Sequence, residues 1–484
     1  MSSGVVMQIQ EYTAAQIRAA VTAAANISDD WAQSSAQTRA ALLRGLGDVL
    51  IANREELVRL ADEECSLGTA RLNGELDRTT FQLGGFANHI EAGHAFALTD
   101  DEAIAGAPPI GRPHLTRVRV PLGPVAMFSA SNFPLAFSVL GGDTASALAA
   151  GCPVVVKAHP GHPKLSRRVF ELARSVIAQQ GLPAGLLGMV EGTGVDVGVE
   201  LVRNPDIAAV AFTGSFKGGT ALWTEANSRP RPIPFYGELG SINPVVALPA
   251  ALTAQAEELA QALASSIEFG SGQICTSPGL VVLFDGADAD RFENTLREAL
   301  QAKKTHTMLT PGMKRNFDAG VARLTGTPGV QTVLATESND DVKAPPRPLL
   351  ARTRAQTFIA EHALRDEVFG PACLLVRVVS VEEIVDVLKA VGGSLTVTLW
   401  GAESDSADVR RITRRAAQIA GRVLFGGVPT GVAVTGSQQH GGPWPASTEP
   451  FTTSVGYAAM DRFLRPVALQ SAPAWLVERA GRPC

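Results

Sequence analysis

The chain has 484 residues, of which 45% are apolar and 18% charged, and its 42 basic and 47 acidic residues give a net charge of −5. At roughly 100–200 residues per domain, this length predicts two or three domains with sizeable cores. The slight acidic excess argues against nucleic-acid binding, and the composition argues against disordered, collagen-like and coiled-coil chains.

The first ten residues lack the basic and apolar regions of a secretory signal, and no apolar run reaches the ~18 residues that span a bilayer. The five cysteines are scattered, without the C-x-x-C spacing of a zinc site or redox pair. They are Cys65, Cys152, Cys275, Cys373 and Cys484. So few cysteines fit a reducing compartment. We therefore expect a cytoplasmic protein without a metal site or a membrane segment.

In chain order, residues 13–65 and the Ala-rich stretch to about Ala97 predict helices, because apolar residues recur every three or four positions. A Pro/Gly loop at 106–113 precedes a strand-like segment, His114 to Pro121. From residue 122 short apolar strands alternate with helices, and a second such series begins near Asn243. This β-α-β alternation predicts parallel sheets covered on both faces, in two tandem α/β domains with a cleft between them.

Two segments of the first series suit the binding of a phosphate-bearing ligand. Lys157 ends a buried strand, at the edge where open α/β sheets bind ligands, although a solvated lysine is the alternative. Gly214 to Gly219 connect a strand to a helix that Ser215 would cap. The free N–H groups of this turn would face a phosphate, unless it is an ordinary strand–helix turn. His159, His162 and His440 match no zinc spacing and are expected at the surface.

Three further segments carry groups suited to acyl chemistry. Asn132 lies in a turn where its amide would donate to an oxyanion or cap the helix expected from Leu135. Glu238 is a carboxylate in an apolar strand, suited to general base catalysis, with bonding to backbone amides as the alternative. Cys275 follows a Gly-rich stretch after a long helix, where a thiol can be exposed for attack. A small buried cysteine is the alternative.

Together these segments resemble the aldehyde dehydrogenase superfamily from about residue 10 to about residue 475. Within it, the chain is most similar to the 2-oxoglutarate semialdehyde dehydrogenases and the NADP-linked fatty aldehyde dehydrogenase, on the stretches 130–153, 440–446, 453–457 and 462–466. The resemblance implies an atypical Rossmann-like cofactor domain at 1–105 and 122–239 and a catalytic domain at 240–435. It also implies an oligomerisation arm at 106–121 and 450–470, in a homodimer or a dimer of dimers.

The resemblance further implies oxidation of an aldehyde to a carboxylic acid through a thiohemiacetal and a thioester on Cys275. Glu238 would be the base and Asn132 an oxyanion donor. The implied cofactor-binding residues are Ser129, Lys157, His159, Gly214, Ser215, Gly219, Glu367 and Phe369. Pro160 stands where NAD-selective members often carry an acidic residue, so we expect NADP, with use of NAD left open.

The expected substrate is 2-oxoglutarate semialdehyde, and another medium-chain or fatty aldehyde is the alternative. Ile274 and Ser277 depart from the subgroup's pattern and are expected to shape the substrate pocket. Three other classes are weaker alternatives. Glu238 argues against a CoA-acylating relative, Cys275 argues against a non-catalytic cofactor-binding relative, and no motif places the histidine beside Cys275 that a Cys–His hydrolase needs.

Overall fold

The structure is a computed structural model that describes residues 9–335 and 341–476, so Cys484 lies outside the described residues. The helices are α1 (Ala14–Ala25), α2 (Ser28–Ala32), α3 (Ala36–Ala52), α4 (Arg54–Cys65), α5 (Thr69–Glu91), α6 (Gly142–Ala150), α7 (Pro163–Gln179), α8 (Val195–Arg203), α9 (Phe216–Asn227), α10 (Pro249–Glu268), α11 (Ala287–Ala302), α12 (Pro311–Gly326), α13 (Ala355–Ala360), α14 (Val381–Val391) and α15 (Ala407–Ile419). The strands are β1 (Thr99–Asp101), β2 (Leu115–Pro121), β3 (Val125–Phe128), β4 (Val154–Lys157), β5 (Leu187–Val190), β6 (Ala209–Thr213), β7 (Phe235–Glu238), β8 (Val245–Ala247), β9 (Leu280–Phe284), β10 (Gln331–Leu334), β11 (Leu349–Arg354), β12 (Ala372–Val378), β13 (Ser394–Trp400), β14 (Ala420–Leu424) and β15 (Leu464–Gln470).

The first α/β unit is a five-stranded parallel sheet in the order β5-β4-β3-β6-β7. Every residue of β3 is buried, because helices cover both faces of the sheet. Helices α3 to α7 pack on one face, and α1, α8 and α9 pack on the other. Since the strands run parallel, their carboxyl ends share one edge, where ligands bind in such sheets. Lys157 and Glu238 are the last residues of two of these strands.

The second unit is a seven-stranded sheet in the order β10-β11-β12-β9-β8-β13-β14. Its pairings are parallel except that of β10, which lies antiparallel to β11. The sequence patterns did not predict β10, because none of its residues is buried and it therefore lacks an apolar run. Helices α12 to α15 contribute to the core on one face, and α10 and α11 to the core on the other.

A three-stranded antiparallel sheet, β1-β2-β15, joins the segment before the first unit to the C-terminal segment. The segment predicted as a strand, His114 to Pro121, forms β2 from Leu115 onward. A buried ion pair between Arg462 and Asp143, 2.7 Å long, ties the chain just before β15 to α6. The role of this sheet as an oligomerisation arm stays a prediction, as do the domain boundaries.

Within the described ranges, no helix is both long enough and apolar enough to cross a membrane.

Candidate active site

Cys275, His440 and Glu238 form a contiguous chain of polar side chains. His440 Nε2 lies 3.1 Å from Glu238 Oε2 and 3.7 Å from Cys275 Sγ. Because a carboxylate and a thiolate both accept hydrogen bonds, Nε2 carries the hydrogen when it bonds to either of them. The Ser454 hydroxyl donates a further bond to Glu238 Oε2 at 3.0 Å, and the backbone N–H of His440 donates to Thr453 Oγ1 at 2.8 Å. The imidazole and the carboxylate are therefore held in place around the thiol.

A tight loop after α10 positions Cys275. Residues 270–272 have positive φ angles of 61°, 54° and 68°, the left-handed region that favours glycine. At Gly272 a β-carbon would lie 2.2 Å from the backbone of Gly370, so a larger residue would displace the loop. The buried side chain of Asn243 donates to the carbonyl oxygen of Cys275 at 2.9 Å. These constraints fix the backbone that carries the thiol.

Asn132 is bonded to the same loop. Its Nδ2 donates to the carbonyl oxygen of Gln273 at 3.0 Å, which leaves the second N–H of the amide for another acceptor. The backbone carbonyl oxygen of Asn132 accepts a hydrogen bond of 2.6 Å from Arg71 Nη2. The expected helix from Leu135 is wrong, because α6 begins only at Gly142 and has no side-chain cap. Asn132 therefore has no capping role, and its predicted role as an oxyanion donor stays a prediction.

The electrostatics of the site keep the thiol protonated at rest. Burial and the charge of Glu238 raise the pKa of Cys275 well above its usual value. Burial alone would raise the pKa of Glu238 as well, but the charge of His440 and hydrogen bonds from His440, Cys275 and Ser454 outweigh it and lower that pKa. Since the thiolate is the nucleophile, the proton must leave Cys275 before attack. The carboxylate of Glu238, which is hydrogen-bonded to the thiol, is suited to accept it.

The residues expected to bind the cofactor's ribose and phosphates lie at the carboxyl edge of the first sheet. Lys157 Nζ donates to the carbonyl oxygens of Ala158 and Gly192, and burial lowers its pKa to about 8. The hydroxyl of Ser129 is buried without a partner in the described part of the chain. Burial lowers the pKa of His159 to about 3, so its ring is neutral at pH 7 and supplies no cation.

The turn into α9 has the shape of a phosphate site. Ser215 caps the helix, its hydroxyl accepting from the N–H of Gly218 at 3.2 Å. A β-carbon at Gly219 would lie 2.2 Å from Leu239, and one at Gly214 would lie 2.8 Å from the ring of Phe212. Glycine at both positions is therefore required for the turn to pack against Phe212 and Leu239. The N-terminus of α9 is the part of this turn that suits a pyrophosphate. The residues present fit a dinucleotide on this observation.

Glu367 and Phe369 lie on the other side of the nucleophile loop, where they line a second cavity. Burial raises the pKa of Glu367 to about 8. Ser277 lines this second cavity and not the cavity at Cys275, so its expected role in shaping the substrate pocket stays a prediction. Ile274 does line the cavity at Cys275, as expected.

The cavity that contains Cys275 has a volume of about 320 Å³. Its size and its mixture of aromatic and polar groups are typical of a small-molecule site. The apolar lining consists of Phe133, Phe137, Phe269, Ile274 and Val432, and the other lining residues are Arg78, Thr276, Thr430, Gly431 and His440.

The histidine expectations need correction. His162 and His440 were expected at the surface, but both are buried. His162 is a structural residue, since its ring nitrogens contact Ala130 O and Ser166 Oγ, each at 3.0 Å. The expectation that no histidine lies beside Cys275 is also wrong. His440 is 165 residues further along the chain, so spacing could not reveal the contact; its one signal is that it begins the 440–446 stretch.

Three more residues of this site were not predicted from the sequence, namely Arg78, Asn243 and Ser454.

The donor atoms of Glu238, Cys275 and His440 lie within 4.8 Å of one another, close enough to hold a metal ion. The absence of a metal site therefore stays a prediction.

Comparisons with known proteins show the family of the chain. The model of the "Aldehyde dehydrogenase family" matches residues 1–444. An alpha-ketoglutaric semialdehyde dehydrogenase 2 of Azospirillum brasilense is 44% identical over 460 residues, which cover 95% of this chain and 87% of that protein. An alpha-ketoglutaric semialdehyde dehydrogenase of Acinetobacter baylyi is 38% identical over 416 residues, which cover 86% and 79%. A solved mutant of proline utilization A from Bradyrhizobium japonicum matches with a TM-score of 0.78 at 25% identity. That match covers 95% of this chain but 45% of the other, so this chain spans less than half of that protein.

Proposed function

Because the chain belongs to the aldehyde dehydrogenase family, we propose that it oxidises 2-oxoglutarate semialdehyde to 2-oxoglutarate at a site formed by Cys275, His440 and Glu238, with NAD(P) as the electron acceptor. The chain is an NAD(P)-dependent oxidoreductase that acts on an aldehyde. The observation that carries the assignment of the site is the unbroken contact from the thiol of Cys275 through His440 to the carboxylate of Glu238. The substrate is inferred from the two alpha-ketoglutaric semialdehyde dehydrogenases that resemble most of the chain.

The first half of the reaction forms a bond between Cys275 and the aldehyde carbon. Glu238 accepts the thiol proton, and the Nε2–H of His440 stabilises the thiolate that results. Attack on the carbonyl carbon gives a thiohemiacetal oxyanion, which accepts a hydrogen bond from the free N–H of Asn132. When bound, NAD(P) would supply the hydride acceptor for the step from thiohemiacetal to thioester, and Lys157, Ser215 and Gly219 are among the residues that would hold it.

The second half of the reaction is hydrolysis of that thioester. Glu238 releases the proton gained from Cys275 and then accepts one from the attacking water. Its buried setting and its bonds to His440 and Ser454 hold the carboxylate in place for both transfers. The acid leaves, and the thiolate of Cys275 takes up a proton to restore the resting state. Two modest steps thus replace one difficult step.

Within the NAD(P) pair, we propose that NADP is preferred and NAD is also used. Pro160 provides no carboxylate to repel a 2′-phosphate. Two other carboxylates oppose this preference for NADP. Burial lowers the pKa of Lys157, and the charges of Glu11 and Glu191 both oppose this shift, so both carboxylates lie within electrostatic range of the expected phosphate-binding region. Arg167 offsets Glu191 through a hydrogen bond of 2.6 Å. We therefore expect a modest preference, read from the ratio of kcat/KM for the two cofactors.

We also propose that the chain forms a homodimer or a dimer of dimers through the β1-β2-β15 sheet. The segments assigned to this arm expose large apolar side chains, with Ile110 75% and Phe451 95% exposed. A second copy would remove such side chains from water. Light scattering at micromolar protein should give a multiple of the 50.6 kDa chain mass, and a monomeric mass would overturn the proposal.

The activity is tested by following NADPH and NADH formation with 2-oxoglutarate semialdehyde, succinic semialdehyde and hexanal. We expect 2-oxoglutarate semialdehyde to have the highest kcat/KM. Cys275→Ala and Glu238→Gln should each abolish steady turnover, whereas Cys65→Ala, which replaces a buried cysteine that does not line the cavity, should keep it. Retained turnover in Cys275→Ala would refute the assigned nucleophile. A clear preference for hexanal would refute the assigned substrate and favour the fatty aldehyde alternative.

A further inference from the structure

The cavity at Cys275 contains one guanidinium among aromatic rings. Arg78 projects from α5 into the cavity, together with Phe133, Phe137 and Phe269. Its guanidinium lies 5.9 Å from the ring centre of Phe137. The aromatic rings alone would be enough to bind a hydrocarbon aldehyde. They do not explain why a charged guanidinium also lines the cavity.

The guanidinium of Arg78 has donors to spare. It carries five N–H hydrogens, and Nη1 donates to the carbonyl oxygen of Val432. Nε is buried without a partner among the described residues. Within residues 9–335 and 341–476, no carboxylate lies within ion-pair distance of this group. A half-buried cation with an unpaired N–H is stabilised when a carboxylate completes its hydrogen bonds.

Neighbouring charged groups do not fill that role. Burial lowers the pKa of Arg78, and the charge of Glu75, which lies one turn earlier on α5, opposes this shift. The Oε1 of Glu75 accepts from the N–H groups of Leu135 and Ala136 at 2.7 and 2.9 Å, and its Oε2 makes no hydrogen bond to Arg78 or to any other described residue. Arg71 lies two turns earlier, but it bonds to Asn132 and lies over Phe133, outside the lining of the cavity. Arg71 therefore contacts the segment that carries Asn132, and Arg78 is the arginine that lines the cavity.

Arg78 also acts on the reacting thiol. Burial and Glu238 raise the pKa of Cys275, and the charge of Arg78 opposes them, which places its guanidinium within electrostatic reach of the nucleophile. A ligand held by Arg78 would thus extend across the same cavity in which Cys275 attacks.

We propose that Arg78 binds the carboxylate of the substrate and is the residue that selects an ω-oxo acid over an uncharged aldehyde. The inference rests on the proposed function, because 2-oxoglutarate semialdehyde carries an aldehyde at one end and a 2-oxo carboxylate at the other. The guanidinium forms paired N–H···O bonds with that carboxylate, a geometry that lysine cannot reproduce. The rings pack against the methylene groups between the two ends.

The test compares a charged and an uncharged aldehyde of equal carbon number, 2-oxoglutarate semialdehyde and pentanal, in wild type, Arg78→Met and Arg78→Lys. In Arg78→Met we expect kcat/KM for the semialdehyde to fall about 100-fold, mainly through KM, and its ratio to the value for pentanal to fall at least tenfold. Arg78→Lys should recover part of the lost kcat/KM, because lysine restores the positive charge without the paired N–H donors of the guanidinium. The control is Arg59→Met, which removes an arginine of α4 that is paired with Glu63, and it should leave the ratio unchanged.

A second measurement does not depend on the identity of the substrate. Glutarate, a dicarboxylate without an aldehyde, should compete with pentanal in wild type and inhibit Arg78→Lys at least fivefold more weakly. This variant also serves if Arg78→Met does not fold. Glutarate inhibition that is equal in both proteins would overturn the inference.

The outcomes separate the two proposals. If wild type oxidises pentanal but not 2-oxoglutarate semialdehyde, the proposed substrate is wrong. If wild type prefers the semialdehyde and the ratio is unchanged in Arg78→Met and Arg78→Lys, the substrate stands and the role of Arg78 is refuted.

Discussion

Replacing His440 tests the central geometry of the site, because its Nε2 lies between the nucleophile and the carboxylate. In His440→Ala the thiolate of Cys275 loses an N–H donor. A hydrogen bond to a charged group contributes about 1.5–3 kcal/mol to stability. At about 1.4 kcal/mol for each factor of ten, the thiolate population below its pKa should fall roughly tenfold to a hundredfold. His440→Gln keeps an amide donor near the position of Nε2 and should lose less.

The assay is the rate of alkylation of the cofactor-free protein by iodoacetamide as a function of pH, with Cys275→Ala as the background. Cys65, Cys152 and Cys373 are buried, so Cys275 dominates the rate among the described cysteines. Burial and Glu238 already raise the pKa of Cys275, and loss of the His440 donor raises it further. The rising limb of the pH profile should therefore move to higher pH in His440→Ala.

Glu238→Gln should shift the pKa of Cys275 in the opposite direction. The charge of Glu238 raises the pKa of Cys275, so a neutral amide lowers it and should speed alkylation at a given pH. Aldehyde oxidation should nevertheless stop after one turnover, because the attacking water has lost its base. Slower alkylation in Glu238→Gln, or an unchanged pH profile in His440→Ala, would show that the electrostatic reasoning is wrong.

Other substitutions test the rest of the site. Asn132→Ala should lower kcat/KM by about 10²–10³ with little change in alkylation by iodoacetamide, and an equal loss in both assays would indicate a misplaced loop instead. Pro160→Glu should lower kcat/KM for NADP relative to NAD at least about tenfold, since it places a carboxylate near the 2′-phosphate, and an unchanged ratio would move that phosphate elsewhere. Glu367 has its pKa raised from 4.5 to about 8, so its contribution to stability is complete below pH 4.5 and is lost as the pH rises to about 8. The Tm of cofactor-free Glu367→Gln should therefore fall less than that of wild type across this window. Asp143→Ala leaves Arg462 buried without its partner and should lower the free energy of unfolding by roughly 3–5 kcal/mol, measured by urea denaturation.

The sequence alone determined the local features of the fold. The strands at Val125–Phe128, Val154–Lys157 and Leu187–Val190 lie in the series of short apolar strands expected from residue 122 onward, because each is a short apolar run bounded by Gly, Pro or polar residues. The alternation of such runs with helices is sufficient to predict two parallel-sheet units. Cys275 and Glu238 were recognisable as candidates because an isolated thiol after glycines and a carboxylate in an apolar strand are unusual in local sequence.

The tertiary structure alone decided which distant side chains meet. The contact of His440 with Cys275, the bond from Asn243 to the nucleophile loop and the projection of Arg78 into the cavity join segments with no fixed spacing. Strand β10 was missed because its partner's backbone, not its own apolar pattern, holds it in the sheet. Local propensity depends on neighbours within a turn or a strand, whereas a buried polar site depends on the packing of elements that lie far apart in the chain.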